Sequence, residues 1–349
     1  MSGTRHHFIP RFLLRGFTSQ FVGDEHFVWV VRRDRSPFNT NIRNIAVEGH
    51  FYTIDGSAIV DDLITDVEPD LAKFVSELCA SPDLPIDPNR AAHLLAHLEV
   101  RTRHLRQNFE VIGNVIAKQM VAFVRDYDAF KKFVIDTVER DPESLVGPLR
   151  KVILRRGMTP ASTEILLSLI RPVLPELVDE ILPSLASELI AVIERLSIEQ
   201  PNALRKVVKR GQLRGLERSL APISKVAKYE RLSYSVRRAP RELVLGDSAV
   251  LFEVLGDRRF TTFISQSDVL LAAYLPLTPR AVLVGCTSEH HPSLEQLPEA
   301  IAQCALDYFV AASNSEHVNA LQTLLGSLAM IFEAGTIEQL LSEALRSSV

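Results

Sequence analysis

After Pro240 the apolar residues change their period, and no other feature constrains the fold as much. Leu243–Leu245, Val250–Val254, Phe260–Ile264, Val269–Tyr274 and Ala281–Val284 are short, β-branched or aromatic stretches. Side chains alternate between the two faces of a strand, so these stretches predict an antiparallel meander. Gly246-Asp247 and Gly256-Asp257 supply turns. Phe27–Arg33 reads as a strand too, and Phe51–Ile54 as a short one ending at Asp55-Gly56. Elsewhere the spacing is helical. Pro10 starts a short helix that Gly16 stops. Residues 58–80 form a helix, and Asp87 or Asn89 caps a long one reaching about Phe123. Residues 126–200 are helical hairpins punctuated by prolines, and 294–312, 316–333 and 336–346 read as helices again.

The expected fold class is therefore α+β, a helical majority around a small, mostly antiparallel sheet. Strand patterns fall at 27–54 and 243–284, so the sheet combines both ends of the chain. That predicts a core domain of residues 1–124 plus 241–349, with 125–240 as a helical insertion ending in a basic segment.

The chain has 349 residues and a formal net charge of -4, so it is not a polyanion binder as a whole. Arg205–Arg241 is the exception. It carries Arg205, Lys206, Lys209, Arg210, Arg214, Arg218, Lys225, Lys228, Arg231, Arg237, Arg238 and Arg241 against Glu217 and Glu230. Clustered cations attract phosphate, and aromatics add stacking; Tyr229 and Tyr234 interleave here. A nucleic acid or nucleotide is thus an expected partner for 205–241, and a solvated connector explains the same composition. A protein partner or a homo-oligomer stays open. Cys79, Cys286 and Cys304 have no metal or disulfide spacing. No apolar run reaches about 18 residues, and Arg5, His6, His7, Arg11 and Arg15 break any leader-like segment. The expectation is a cytoplasmic protein that no membrane holds.

GxGxxG, GxxxxGK[ST], HExxH and GxSxG do not occur, so glycine-loop nucleotide binding and zincin chemistry lack support. Four polar groups stand out. His6 and His7 point apart, so one can face a site while the other packs; an imidazole serves as general base or metal ligand. Asp61 and Glu68 lie two turns apart on one helix face, beside Asp62 and Asp66, and suit a divalent cation. A solvated acidic face, favoured early in a helix, explains them as well. His93, His97, Arg101 and His104 form a polar line with Arg103 and Arg106 beside it, fit for an anion or for pairing with the acidic helix. Asp247 sits between apolar strand halves, where a carboxylate must be paired, capped or bound.

These stretches together resemble the bacterial domain-of-unknown-function family 4238. Its members open with His-His-aromatic-aliphatic-Pro-polar-aromatic-x-Leu-Arg-x-Phe, and this chain opens with the run His6 to Phe17. Phe51-Tyr52 resembles the family's aromatic pair before its acidic helix. Asp61 and Glu68 resemble two acidic positions seven apart, of which the first is usually Glu. Arg101-Thr102 is similar to an Arg-Thr step in the next helix. Leu245 to Val250 resembles Thr-Ser-Asp-x-Pro-Val, with Gly246 in place of Ser and Ala249 in place of Pro. Leu275 to Pro279 is similar to a Pro-Leu-Thr/Ser-Pro segment. The resemblance implies that His6, His7, Glu68, Arg101 and Asp247 converge from distant parts of the chain.

Two functions fit that set. One is a metal-dependent phosphodiester or nucleotide hydrolase, a nuclease or toxin in a bacterial anti-phage setting. Asp61, Glu68 and Asp247 then hold Mg or Mn, His6 or His7 activates water, and Arg101 stabilises charge on phosphate. The other is a non-catalytic protein- or nucleic-acid-binding module with a structural polar network. There His6 or His7 bonds Asp247, and Arg101 pairs with Glu68.

Overall fold

The computed structural model describes residues 5–141, 157–170, 174–195 and 201–331, with a few isolated positions besides. The helix expected at 336–346 falls largely outside them. The fold class is α+β. The chain divides into two compact units, one of Met1–Phe109 with Val208–Ile331 and a second built on Glu110–Val207.

The first unit opens with β1 (Arg5–His7), then α1 (Arg11–Arg15), which buries Leu13 and Leu14. Gly16 ends α1 at an ordinary helical φ of -60°. Its reason is space. A Cβ at Gly16 would run into the carbonyl oxygen of Leu277, so the opening motif and the Leu275–Pro279 segment pack backbone to backbone. Gly16→Ala is expected to cost ~2 kcal/mol through overpacking, read as a lower denaturation midpoint at unchanged slope.

Next come β2 (Gln20–Val22), β3 (Glu25–Arg32), β4 (Arg35–Asn41) and β5 (Val47–Gly49). β5 pairs antiparallel with β1 and sets Glu48 opposite His6. Phe51-Tyr52, expected in a strand, lies in the turn after β5 with both side chains buried. α2 (Ile59–Ala80) follows, and Asp87 caps α3 (Pro88–Val100) by accepting from the Asn89 N–H. The long helix expected to Phe123 breaks at Arg101-Thr102 and resumes as α4 (Arg103–Arg125). α5 (Tyr127–Arg140), α6 (Pro160–Ile170) and α7 (Leu174–Glu194) belong to the second unit. Val124, Phe130, Leu182 and Ala186 form its core.

α8 (Pro201–Arg218) and α9 (Ile223–Tyr229) lead to β6 (Ser233–Arg238), β7 (Leu245–Gly246), β8 (Leu251–Val254) and β9 (Phe260–Thr261). β10 (Leu270–Thr278), β11 (Ala281–Cys286), α10 (Leu297–Cys304), β12 (Tyr308–Ala311) and α11 (Glu316–Ala320) complete the described chain, apart from short 3-10 turns at Ile42–Asn44 and Leu321–Leu324. One antiparallel sheet has the order β6-β11-β10-β8-β9. A second, β2-β3-β12-β7 with β4 on β3, joins strands from both ends of the sequence. The helix expected over 294–312 therefore stops at Cys304, and Tyr308–Ala311 enters this sheet between β3 and β7. Residues 208–240 also depart from the expected insertion. β6 pairs with β11, and Val226 and Tyr229 lie in the main core beside Phe252. Burying each such large side chain is worth ~2–3 kcal/mol, which is why the segment belongs with the sheet.

Candidate functional site

The β1–β5 pairing turns the two histidines to opposite faces. His6 points inward and is buried. Its Nδ1 accepts from the Tyr52 N–H at 2.8 Å, which leaves the proton on Nε2, 3.7 Å from Asp61 Oδ1. The rings of His6 and Tyr52 stack at 5.7 Å. The backbone presenting Tyr52 is strained: Ala46, His50 and Asp55 all have φ between 51° and 55°. That left-handed region is costly for residues with a Cβ, and such outliers gather where a structure fixes special geometry.

Arg101 stands at the break between α3 and α4 and is 1% exposed. Its Nε donates to Tyr52 Oη at 2.9 Å. Nη1 reaches Glu68 Oε1 at 2.9 Å and His97 Nε2 at 2.7 Å, and Nη2 reaches the His7 carbonyl at 2.8 Å. Burial opposes the guanidinium charge, but Tyr52 and Glu68 outweigh it and hold its pKa above the ordinary value. His97 is pushed well below its usual range by burial and by Arg101, so it stays neutral and accepts. Burial raises the Asp61 carboxyl, with Asp62 and Glu68 adding and His6 and Arg101 opposing. Side-chain exposure is 16% at Asp61 and 33% at Glu68, so the carboxylates form the outer edge of the cluster.

His7 is half-buried, and its Nδ1 is enclosed without a hydrogen-bond partner. Burial first, then Arg11, Arg5 and Arg101, lower its pKa to about 4, with a bond to the Ile45 backbone opposing them. An unfolded histidine titrates near 6.5. As pH falls from about 6.5 towards 4, the unfolded chain takes up this proton and the native fold refuses it, so stability is lost in that window. After allowance for partial exposure the loss is ~2 kcal/mol. Denaturant unfolding at pH 7 and pH 4.5 is expected to show a smaller loss in His7→Gln than in the wild type.

Asp247 is buried, and its carboxylate accepts three backbone N–H groups: Leu306 at 2.9 Å, Asp307 at 2.6 Å and Tyr308 at 3.4 Å. Neither His6 nor His7 bonds it. Burial raises its pKa, with His104 and the Asp307 and Leu306 N–H groups opposing. Asp247 reaches the histidine cluster only through intermediates. Asp307 pairs with Arg103 at 2.9 Å, Arg103 lies 3.5 Å from Glu48, and Glu48 stands opposite His6. Ala249 in the same loop has φ of 63°, which a proline ring forbids. At Gly246 a Cβ would press Ile301 at 3.3 Å. Both departures from the family-like stretch therefore follow from the loop's own shape.

The structure thus gathers His6, His7, Asp61, Glu68 and Arg101 into one cluster and gives Asp247 to a neighbouring one. Among the described residues, no three His, Cys, Asp or Glu side chains group as a metal site. Of the expected ligands, Asp61 lies 3.7 Å from His6, whose Nδ1 is committed to Tyr52, and Glu68 is committed to Arg101.

Sequence reasoning missed the extent of the buried polar row. Glu99 is 1% exposed and accepts from Lys225 at 2.6 Å, Tyr229 at 2.5 Å and the Ile264 N–H at 2.8 Å. His104 donates to the Ala329 carbonyl at 2.6 Å, and Arg106 to Gln212 and the Phe51 carbonyl. Asn108 accepts from the Ile331 N–H at 2.7 Å. Residues 97–108 thereby tie the N-terminal strands, α2, α8, α9 and the end of the described chain together. The one available signal was a helix carrying Glu and His amid apolar neighbours on every side. His93, on the expected line, is exposed. Part of the basic segment is committed within the chain: Lys209 to the His50 carbonyl, Lys228 to the Ser265 and Asp268 carbonyls and Arg241 to Glu299, while Arg210 and Asp55 form an exposed pair. Among the described residues, no helix is long and apolar enough to cross a membrane.

A family model described as a protein of unknown function (DUF4238) matches residues 5–204, more than half of the chain. The match takes in the opening motif, Phe51-Tyr52, Asp61, Glu68 and Arg101-Thr102; the stretches at 245–250 and 275–279 lie beyond it. No curated protein and no solved structure matches the chain.

Proposed function

We propose, for a chain that belongs to the DUF4238 family of proteins of unknown function, a non-catalytic role as a binding module whose polar cluster is a structural clasp. Arg101 carries the reading. It is 1% exposed, and its N–H groups go to four acceptors of the protein itself. A guanidinium that stabilises charge on a substrate must offer N–H groups to it in the reacting complex. Four of the five N–H groups of this one are committed to holding β1, the Tyr52 turn, α2 and α3 together. A buried guanidinium whose bonds all go to groups of the chain itself helps to specify one packing arrangement.

A second reading, the metal-dependent phosphodiester or nucleotide hydrolase, draws on the enclosed His7 Nδ1 and the partly exposed Asp61 and Glu68. There the two carboxylates hold Mg or Mn and His7 takes the proton of the attacking water. Asp247 joins only by giving up three backbone N–H bonds. A thermal-shift titration separates the two. Under the clasp reading Mg²⁺ and Mn²⁺ leave the wild-type Tm unchanged, and Asp61→Asn and Glu68→Gln respond alike. A metal-induced rise in the wild type, absent from both folded variants, transfers the assignment to the hydrolase.

A further inference from the structure

α8 carries two glycines one turn apart, Gly211 and Gly215. Glycine is among the residues least suited to a helix interior. No atom lies within 4 Å of where either Cβ would stand, so packing within the chain does not call for them. Both line a cleft of about 490 Å³ whose other walls include Val100, Leu105, Phe109 and Phe263. That size suits a small organic ligand. The cleft's single charged lining residue is Lys225. Its ammonium stands 3.8 Å from the centre of the Phe263 ring and donates to Glu99 and to the Ile264 carbonyl, both at 2.6 Å. An ammonium has three donors, so the two oxygen acceptors leave one N–H uncommitted to oxygen. Gln212 spends its carboxamide on Arg106 and on the Val100 and Thr102 carbonyls. Beside Gly215 on α8, Arg214 and Arg218 are exposed and have no ion-pair partner among the described residues.

We propose that this cleft binds the hydrocarbon body of an anionic amphiphile, in its simplest form a medium-chain fatty acid. Its carboxylate accepts from Lys225 in the field of Arg214 and Arg218. The mostly apolar walls favour hydrocarbon over a nucleobase, whose polar edge would lose its water for at most the Lys225 ammonium and the Ser219 hydroxyl. The bare glycine backbone lets the chain of the ligand lie close against α8. This inference rests on the binding-module reading and names that module's ligand.

The test is calorimetric titration of decanoate into the full chain, with decanol and a thymidine oligonucleotide as comparison probes. Wild type is expected to bind decanoate more tightly than decanol. Gly215→Leu fills the cleft and improves helix propensity, so it stays folded. A leucine displaces at least two methylenes of ligand, each worth about a fourfold change in affinity, so decanoate binding falls by roughly tenfold or more. Reversing charge at Arg214→Glu with Arg218→Glu weakens decanoate and leaves decanol unchanged. The proposal is overturned if wild type binds no decanoate, if Gly215→Leu binds it equally well, or if the oligonucleotide binds the cleft and decanoate does not. None of these touches the module reading, which falls through the metal-induced rise in Tm or through an Arg101→Ala variant as stable as the wild type.

Discussion

Arg101→Ala is expected to lower the stability of the fold by ~3–4 kcal/mol. The substitution deletes a side chain that is 1% exposed and takes a donor from four acceptors. Glu68 loses little, since its side chain is 33% exposed and water replaces the guanidinium. His97 Nε2 is buried and loses this donor, while the Tyr52 hydroxyl and the His7 carbonyl keep their own 3.3 Å bond, and each buried group left short of a partner costs ~1–3 kcal/mol. Glu68→Gln, which removes only a charge at the outer edge, is expected to cost about 1 kcal/mol or less. Denaturant unfolding of the two variants gives the comparison, with an unchanged slope showing that the same native state is being unfolded. An Arg101→Ala midpoint within error of the wild type would mean that the guanidinium sits in an open site, and the clasp reading would fail.

The second large effect belongs to Glu99 and Lys225. Glu99→Ala is expected to cost ~4 kcal/mol, because it strands the Lys225 ammonium, the Tyr229 hydroxyl and the Ile264 N–H at once. Lys225→Met is expected to cost ~3 kcal/mol, since it leaves a carboxylate with no exposed side-chain surface short of its cation. The discriminating variant is the double one. Glu99→Ala with Lys225→Met removes both charges, and it is expected to be more stable than the sum of the single losses by ~2 kcal/mol. Strict additivity would show that the two groups do not interact. Burial raises the Glu99 carboxyl while Lys225, Tyr229 and the Ile264 N–H oppose it, so the ion pair stands only while those donors are in place.

These networks mark how far the sequence reaches. Its local signals hold where a few neighbours decide the outcome. Asp87 caps α3, Pro10 opens α1, and the period-two stretches become β8, β10 and β11. The acidic pair at Asp61 and Glu68 does share a helix face, and each meets a residue that the family resemblance had singled out. The opening motif identified the family.

Other features depend on partners far along the chain. Tyr308–Ala311 is a short apolar run that suits a helix or a strand equally, and β3 and β7 on either side decide it. The break at Arg101-Thr102 contains neither proline nor glycine. It is stabilised by Tyr52, Glu68, Asp307 and Glu48, which hold Arg101 and Arg103 apart in two networks. The charge count of 205–241 suggested a phosphate-seeking surface. Yet the destination of each cation was set by where the fold leaves carbonyls and carboxylates, and Lys225 and Lys228 point inward to them. Period, capping and motif are properties of adjacent residues and can be read from their order. Whether a charge is buried and paired, or left to face a ligand, depends on groups dozens of residues away, and only the tertiary structure brings those together.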